Sequence, residues 1–227
     1  ISAAKTLIAH RNAFMNKGIG DLWPQVSGLV VQPGVEFGPD QIFNLPSDLN
    51  LSLRDVISDY PGICLEAHST DYQPPETFLN LAKMGFAFQK VGPALTFALR
   101  RALYALDEIV QKLNPSSVTL PMVMEAKMRE NPKYWRSHYS EDDKFKWHIS
   151  YADRIRYYWA LPIVKKAVEN LIATFDELKV SDKILAERFS PAVLDSSEGL
   201  APSRGRAIVR NDVQSALLPY FLEYRHA

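Results

Sequence analysis

The sequence predicts a parallel α/β architecture followed by a helical region. Three short apolar segments with strand-like composition lie at residues 28–32, 63–67 and 86–91, each bounded on at least one side by glycine or proline. Segments with the helical spacing of apolar residues lie between and after them. Strands that alternate with helices are joined by crossovers, so we expect the three strands to be parallel. Strand signals stop at about Asn114, which predicts a helical extension from there onward.

The helices are predicted, in chain order, from the period of their apolar residues. Gly18 is a plausible stop for the first one, Pro162 suits the first position of the sixth, and Pro219 is an obstacle inside the last. A polar loop is predicted at residues 195–205. The predicted helices cover residues 4–15, 51–58, 75–84, 95–113, 122–130, 162–175 and 213–224. Three parallel strands cannot bury both of their faces unless other strands complete the sheet.

Composition excludes several classes of protein. Of the 227 residues, 47% are apolar, which argues against intrinsic disorder. The 26 basic residues balance the 26 acidic ones, so the basic excess of a sequence-independent nucleic-acid binder is missing. The apolar runs are far shorter than the roughly 20 residues of a membrane-spanning helix. Cys64 is the single cysteine, which excludes an intrachain disulfide and fits a cytoplasmic protein.

Polar residues gather where the second predicted strand ends, the place at which parallel α/β folds carry their reactive groups. His68 is a candidate metal ligand or acid–base group, with a hydrogen-bonded structural histidine as the alternative. Ser69 and Thr70 could hold a phosphate with nearby backbone N–H groups, and Asp71 could orient a hydroxyl. Equally, these three residues could cap and turn the loop.

The remaining candidates are weaker. Glu36 follows the first strand and is either a ligand or an ordinary loop carboxylate. Arg100 and Arg101 are interpreted as solvated helix surface, and the aromatic clusters as packing. The sequence has no Walker phosphate loop, no dinucleotide-binding glycine motif, no zinc-protease H-E-x-x-H and no G-x-S-x-G elbow. It also lacks the Gly-Ala-Gly-Asp motif of sugar kinases related to ribokinase.

Four segments carry a specific resemblance. They are residues 30–37 (VVQPGVEF), 66–73 (EAHSTDYQ), 90–100 (KVGPALTFALR) and 153–159 (DRIRYYW). Together they resemble the Z-subunit family of D-tagatose-1,6-bisphosphate aldolase, along nearly the whole chain. The resemblance implies a non-catalytic partner of a catalytic subunit in galactitol and N-acetylgalactosamine breakdown. Members of that family have often been labelled tagatose 6-phosphate kinase.

The resemblance implies a TIM (β/α)8 barrel related to the zinc-dependent class II aldolases. Because such a barrel has eight strands, we expect this chain to hold the last three within residues 1–113, with a helical extension at 114–227. The first residue is Ile1. This is either a trimmed or irregular start or the beginning of the second part of a longer protein, and the resemblance favours the second interpretation.

The resemblance also implies which residues occupy the aldolase positions. His68 matches a zinc histidine, whereas Glu36 stands where the enzymes have a second one. A divalent metal such as zinc is therefore a candidate cofactor, since a carboxylate can replace imidazole. Gly92 stands where the enzymes have an asparagine. The candidate contacts to a sugar phosphate are Ser69, Thr70, Asp71, Lys90 and Gly92.

These losses argue against independent aldolase activity, which must polarise a carbonyl beside bound phosphates. The resemblance implies an accessory subunit that binds and stabilises a catalytic class II aldolase subunit. Two alternatives stay open: a metal-dependent class II sugar-phosphate aldolase in its own right, and a tagatose 6-phosphate kinase, which rests on the family label alone. Neither nucleic acid nor a membrane is an expected partner, and a homo-oligomer is left open.

Two charged residues lie inside otherwise apolar strands, where charge is costly unless it is paired. Glu66 shares a strand face with His68, and Lys90 shares one with Gly92, because side chains alternate along a strand. If both faces look into a barrel, the sequence predicts a buried ion pair between Glu66 and Lys90. The alternative is that one of the two points outward past a helix.

Overall fold

The structure is a computed structural model that describes residues 2–49, 51–116, 118–195 and 203–222. Its strands are β1 (Gly28–Val31), β2 (Glu36–Phe37), β3 (Ile42–Phe43), β4 (Cys64–Ala67) and β5 (Phe86–Gln89). Its α-helices are α1 (Ser2–Asn16), α2 (Ser52–Ser58), α3 (Pro75–Lys83), α4 (Pro93–Leu113), α5 (Leu120–Glu130), α6 (Lys144–Ile149), α7 (Pro162–Glu177), α8 (Asp182–Leu185), α9 (Pro191–Asp195) and α10 (Arg204–Leu222). Short 3-10 helices lie at Gly20–Gln25, Pro132–Tyr134 and Arg154–Tyr158.

The three predicted strands form one parallel sheet in chain order, β1–β4–β5, as expected. The register places Leu29 opposite Leu65 and Glu66 opposite Phe88, with an irregularity between Leu65 and Glu66. Strands β2 and β3 pair separately as a small antiparallel hairpin. The mixed α/β class is thus confirmed, and the strands of the described ranges do not close into a barrel.

The chain divides into two compact units. One comprises residues 1–37, 42–91 and 219–227, and the other comprises residues 38–41 and 92–218. The sequence placed the boundary after Leu113, but α4 belongs to the second unit. The physical reason is that the apolar stripe of α4 packs against α5 and α7, so this helix is part of the helical core.

The first unit buries one face of its parallel sheet. Leu29, Leu65 and Ala67 point into a core that α1 and α3 complete with Leu7 and Leu81. The opposite face is open, since Val30 and Phe88 are each 53% exposed. Val30 lies on the side away from the core because it alternates with the buried Leu29. Phe88 reaches the same side because the register irregularity opposite Leu65 and Glu66 interrupts its alternation with the buried Phe86. The sheet is therefore one-sided in a way that parallel sheets rarely are.

The second unit has a closed core built from α4, α5, α7 and the aromatic residues of the segments between them. The rings of Trp135 and Trp147 lie 4.0 Å apart. The indole N–H of Trp135 donates to the carbonyl of Met128 at 2.8 Å, so this buried ring keeps its hydrogen bond. The aromatic clusters therefore serve packing, as expected from the sequence.

Several elements differ from the sequence prediction. The β2–β3 hairpin and the short helices α6, α8 and α9 were not predicted, and α10 begins at Arg204 and continues through Pro219. Much of the predicted polar loop, residues 196–202, lies outside the described residues. Among the helices that the structure describes, none has both the length and the apolar character needed to cross a membrane.

Candidate functional site

The candidate site of the first unit is the carboxyl edge of its parallel sheet. Gln32, His68 and Lys90 each follow the last residue of a strand. The N–H of His68 donates to Val31 O at 3.4 Å, and the N–H of Lys90 donates to Ala67 O at 2.9 Å. These two bonds extend the backbone hydrogen bonding between the strands by one residue. The loops that follow β1, β4 and β5 therefore begin at the same edge of the sheet. This is the edge at which the sequence analysis placed the polar candidates.

The charged pair at this edge is Glu66 with His68. Nε2 of His68 lies 3.0 Å from Oε1 of Glu66, and the two side chains are 32% and 33% exposed. Lys90 is exposed, so the predicted buried pair of Glu66 with Lys90 is wrong. The reason lies in the open sheet face: Phe88, opposite Glu66, is itself exposed, so nothing encloses Glu66 and forces it to find Lys90.

Thr70 is fully buried and its hydrogen bonds hold the loop in place. Its hydroxyl donates to Lys90 O at 2.8 Å, and the Tyr220 hydroxyl donates to Thr70 O at 3.0 Å. Burial raises the pKa of Tyr220, whose ring also packs against Phe78 at 4.1 Å. These contacts indicate a positioning role for Thr70 rather than direct contact with a ligand.

The loop between β4 and α3 contains two residues with an unusual backbone conformation. Ser69 and Tyr72 both have left-handed backbone, with φ of 57° and 63°. Such conformations cost about 1–3 kcal/mol for residues other than glycine and cluster at functional sites. The Gln73 amide donates to Phe43 O at 3.1 Å, and the ring of Tyr72 meets Phe37 edge-on at 5.4 Å, so the β2–β3 hairpin fixes the loop from one side.

Among the predicted phosphate contacts, Ser69 and Asp71 differ in accessibility. Ser69 is partly exposed, whereas Asp71 is only 3% exposed. Lys90 is exposed one residue beyond β5, and Gly92 precedes the first residue of α4 in the second unit. Of the candidates in the first unit, Ser69 and Lys90 are the two that a ligand could reach without rearrangement.

The metal hypothesis can be tested against the donor atoms. Glu36 is exposed on β2; one carboxylate oxygen accepts from Gln32 Nε2 at 2.9 Å and the other from the N–H of Phe37 at 3.0 Å. His68 is engaged by Glu66. In the ranges that the structure describes, no three potential metal-ligating side chains cluster. The residues present therefore do not fit the zinc site that the resemblance implied.

A second polar cluster, which the sequence analysis did not predict, lies in the second unit. Nε of Arg100 lies 3.3 Å from Oδ1 of Asp153, and the Thr96 hydroxyl donates to the other oxygen of Asp153 at 2.5 Å. Arg100 and Asp153 are 2% and 1% exposed, so the prediction that Arg100 is solvated surface is wrong. Burial raises the pKa of Asp153, while Thr96 and Arg100 act to lower it.

One sequence signal could have pointed to the buried Arg100, and one structural feature distinguishes its partner Asp153. Arg100 shares a face of α4 with the buried Leu103 and Asp107, three and seven residues on. Asp153 opens the segment DRIRYYW, and it has left-handed backbone with φ of 44°, which aspartate tolerates better than most residues. The distance of 53 residues along the chain hides the pairing itself.

Comparison with known proteins agrees with this geometry. A solved structure described as a probable tagatose 6-phosphate kinase from Sinorhizobium meliloti 1021 matches with a TM-score of 0.86 at 35% sequence identity. The match covers 98% of this chain and 59% of that one, so the chain spans little more than half the length of its structural relative.

The family comparison covers nearly every residue. The model of the D-tagatose-1,6-bisphosphate aldolase subunit GatZ/KbaZ-like family matches residues 1–224. This agrees with the resemblance carried by the strand ends and by the segment that begins at Asp153. The chain belongs to the GatZ/KbaZ-like family of D-tagatose-1,6-bisphosphate aldolase subunits.

Proposed function

We propose that this chain acts as a non-catalytic subunit of a tagatose-bisphosphate aldolase. In this role it binds a catalytic class II aldolase subunit and stabilises its folded form. A partner that binds the folded enzyme and not the unfolded chain raises its stability by mass action. Family membership over residues 1–224 supports the assignment to the aldolase system. We extend the proposal to galactitol and N-acetylgalactosamine catabolism in the cytoplasm, which suits a chain with one cysteine.

The non-catalytic role is supported by the surroundings of the two predicted metal ligands, His68 and Glu36. His68 is held by Glu66, and both oxygens of Glu36 already accept hydrogen bonds. A class II aldolase needs an electrophile that polarises the substrate carbonyl and stabilises the enediolate. Among the residues that the structure describes, these two side chains do not gather with a third potential metal ligand, so the donor set of such an electrophile is not assembled here.

The open sheet face supports a second part of the proposal. We infer that β1, β4 and β5 are three strands of a TIM barrel whose remaining strands cover Val30 and Phe88. Parallel sheets are normally covered on both faces, and the solved relative is much longer than this chain. On this interpretation Glu66 and His68 lie on the inner wall, and a sugar phosphate would meet Ser69 and Lys90 at the carboxyl edge.

The test is an activity assay with the purified chain, the catalytic subunit and their mixture. We expect no cleavage of tagatose 1,6-bisphosphate by the chain alone and a higher, longer-lasting rate in the mixture than with the catalytic subunit alone. The alternative, an independent metal-dependent aldolase, predicts cleavage by the chain alone after zinc loading and its loss in His68→Ala. Observing that pattern would replace the accessory role.

The solved relative is described as a probable tagatose 6-phosphate kinase, which favours a second candidate, a sugar-phosphate kinase. For this chain the candidate lacks a phosphoryl-transfer motif in the sequence. Incubation with ATP, magnesium and tagatose 6-phosphate, followed by measurement of ADP, separates it from the accessory role. The accessory role predicts no ADP above the rate of ATP hydrolysis without the sugar phosphate.

A further inference from the structure

A cavity that the proposed function does not use lies between α4, α7 and α10 in the second unit. Its volume is about 550 Å³. This falls within the range of roughly 300–1,000 Å³ that small-molecule pockets occupy. The lining from α10 covers residues 206–214, so this side of the cavity is about 12 Å long. The cavity is therefore large enough for a small molecule and elongated along one helix.

The interior of this cavity is apolar. Leu103 of α4, Ile172 of α7 and Val209 of α10 line it and are buried. Leu99 and Val168, each one turn before a buried lining residue of its own helix, are half-buried. Because apolar side chains from all three helices border the same space, a ligand gains affinity there by burying apolar surface of its own.

The rim of the cavity is polar. Its exposed lining residues are Arg206, Arg210 and Gln214, which form one row on α10 because they are spaced four residues apart. Among the lining residues that the structure describes, none is acidic. A stable protein interface buries about 800 Å² on each partner, more than the inside of one cavity of this size offers. An apolar interior behind a cationic rim thus favours a small ligand over a protein surface.

The two arginines of the rim carry charge that their described neighbours do not neutralise. Neither has a carboxylate partner in the described ranges, and Arg210 contacts the neutral amide oxygen of Asn211 at 3.5 Å. By contrast Arg204, earlier on the same helix, pairs with Asp182. Arg206 and Arg210 lie one helical turn apart beside the apolar interior, so together they supply charge-assisted donors for one anionic head group.

We propose that this cavity binds a free aliphatic carboxylate with an unbranched chain. The chain would lie against Leu103, Ile172 and Val209, and the carboxylate would accept hydrogen bonds from Arg206 and Arg210. The rim selects an anion, because a cationic head group would meet two guanidinium groups and no acidic residue of the described lining. An inorganic anion could use the rim but would gain nothing from the apolar interior.

Isothermal titration of the full chain with decanoate, below its critical micelle concentration, tests the proposal. Decanol keeps the chain and removes the charge, decyltrimethylammonium reverses the charge, and octanoate shortens the chain by two methylenes. We expect saturable binding of decanoate, about tenfold weaker binding of decanol and of octanoate, and no binding of decyltrimethylammonium. No saturable binding of decanoate, or equally tight binding of the cation, would overturn the proposal.

Substitution of the rim tests the role of its charge. Arg206→Gln combined with Arg210→Gln removes two exposed charges and leaves the interior intact, so it should weaken decanoate binding at least about tenfold and change decanol binding little. The matched control, Lys133→Gln with Arg136→Gln, removes two exposed charges of the same unit that do not line the cavity. It should leave decanoate binding unchanged. Equal losses in the two double variants, or no loss in the first, would contradict the site.

Filling the interior gives an independent test. Val168→Phe adds a ring to the α7 wall and should abolish binding of decanoate and decanol, whereas Ile163→Phe at an exposed position of the same helix should not. Circular dichroism checks that both variants are folded, and decanoate binding retained by folded Val168→Phe would overturn the proposal. Sedimentation of the unaltered chain tests the rival occupant: a dimer that Val168→Phe breaks would assign the cavity to a second copy of the chain instead.

Discussion

The two units hold their ion pairs in opposite surroundings. In the first unit Glu66 and His68 lie on an open sheet face, each about one-third exposed at 33% and 32%. In the second, Arg100 and Asp153 are enclosed, with side chains 3% and 0% exposed. An exposed pair contributes little, because water already solvates both charges. A buried pair matters far more when it is broken, since the remaining charge has no solvent.

Breaking the buried pair gives the largest expected effect. Asp153→Ala should lower the free energy of unfolding by about 3–5 kcal/mol, because Arg100 is left as an uncompensated buried charge. Urea denaturation followed by circular dichroism measures it. The control is Arg136→Ala in an exposed pair with Glu141, which should cost less than about 1 kcal/mol. Equal losses in the two variants would mean that burial does not determine how much an ion pair contributes to the free energy of unfolding.

The two faces of the parallel sheet offer a second comparison between a buried and an exposed position. Leu65→Ala on the covered face should cost about 2–5 kcal/mol, through lost burial and the cavity left behind. Phe88→Thr on the open face keeps strand propensity and should stay within about 0.5 kcal/mol. Thermal and urea unfolding of both variants test this. A large loss in Phe88→Thr would show that the face is covered in solution, for instance by a second copy of the chain.

The next largest loss of stability is expected when a hydrogen bond of Thr70 is removed. Thr70→Val removes the hydroxyl that donates to Lys90 O and should cost about 1–3 kcal/mol, because this carbonyl loses its buried donor. Thr6→Val on α1 removes a comparable side-chain hydrogen bond at an exposed position and should cost much less. If the two losses, measured by urea unfolding, are the same, then the loop is not held as we describe.

The smallest expected effect is that of Glu66→Gln. The amide keeps the size of the side chain and removes the charge that faces His68. We expect a change in unfolding free energy below about 1 kcal/mol, as for other partly exposed pairs. A loss approaching that of Asp153→Ala, measured on this chain alone, would show that Glu66 is already enclosed without the further strands that the barrel hypothesis adds.

Local sequence pattern predicted the elements well, and long-range partners poorly. The β1, β4 and β5 strands and their parallel order follow from short apolar runs between glycine and proline signals. The two-residue strands of the hairpin are too short to show an alternating pattern. Spacing along the chain likewise could not reveal that Tyr220 supports Thr70, or that Asp153 meets Arg100.

The two wrong predictions about charge have one cause. Lys90 was expected to be buried and Arg100 to be solvated, and the structure shows the reverse. The prediction for Lys90 assumed that its strand face looks into a closed barrel, and the prediction for Arg100 assumed that its helix face meets solvent. In fact the open sheet face leaves Lys90 in water, and the segment that carries Asp153 packs against α4 and pairs with the buried Arg100. Burial of a charge depends on what lies across from it, which local pattern does not contain.

We propose that this chain works by binding a catalytic class II aldolase subunit. The most direct measurement is the thermal midpoint of that subunit, followed as heat-resistant aldolase activity, across a titration with this chain. At a chain concentration of 100 times the dissociation constant, linkage predicts a stabilisation of about 2.7 kcal/mol, seen as a midpoint that rises with concentration. A midpoint that stays constant across the titration, together with tagatose 1,6-bisphosphate cleavage by this chain alone, would contradict the account.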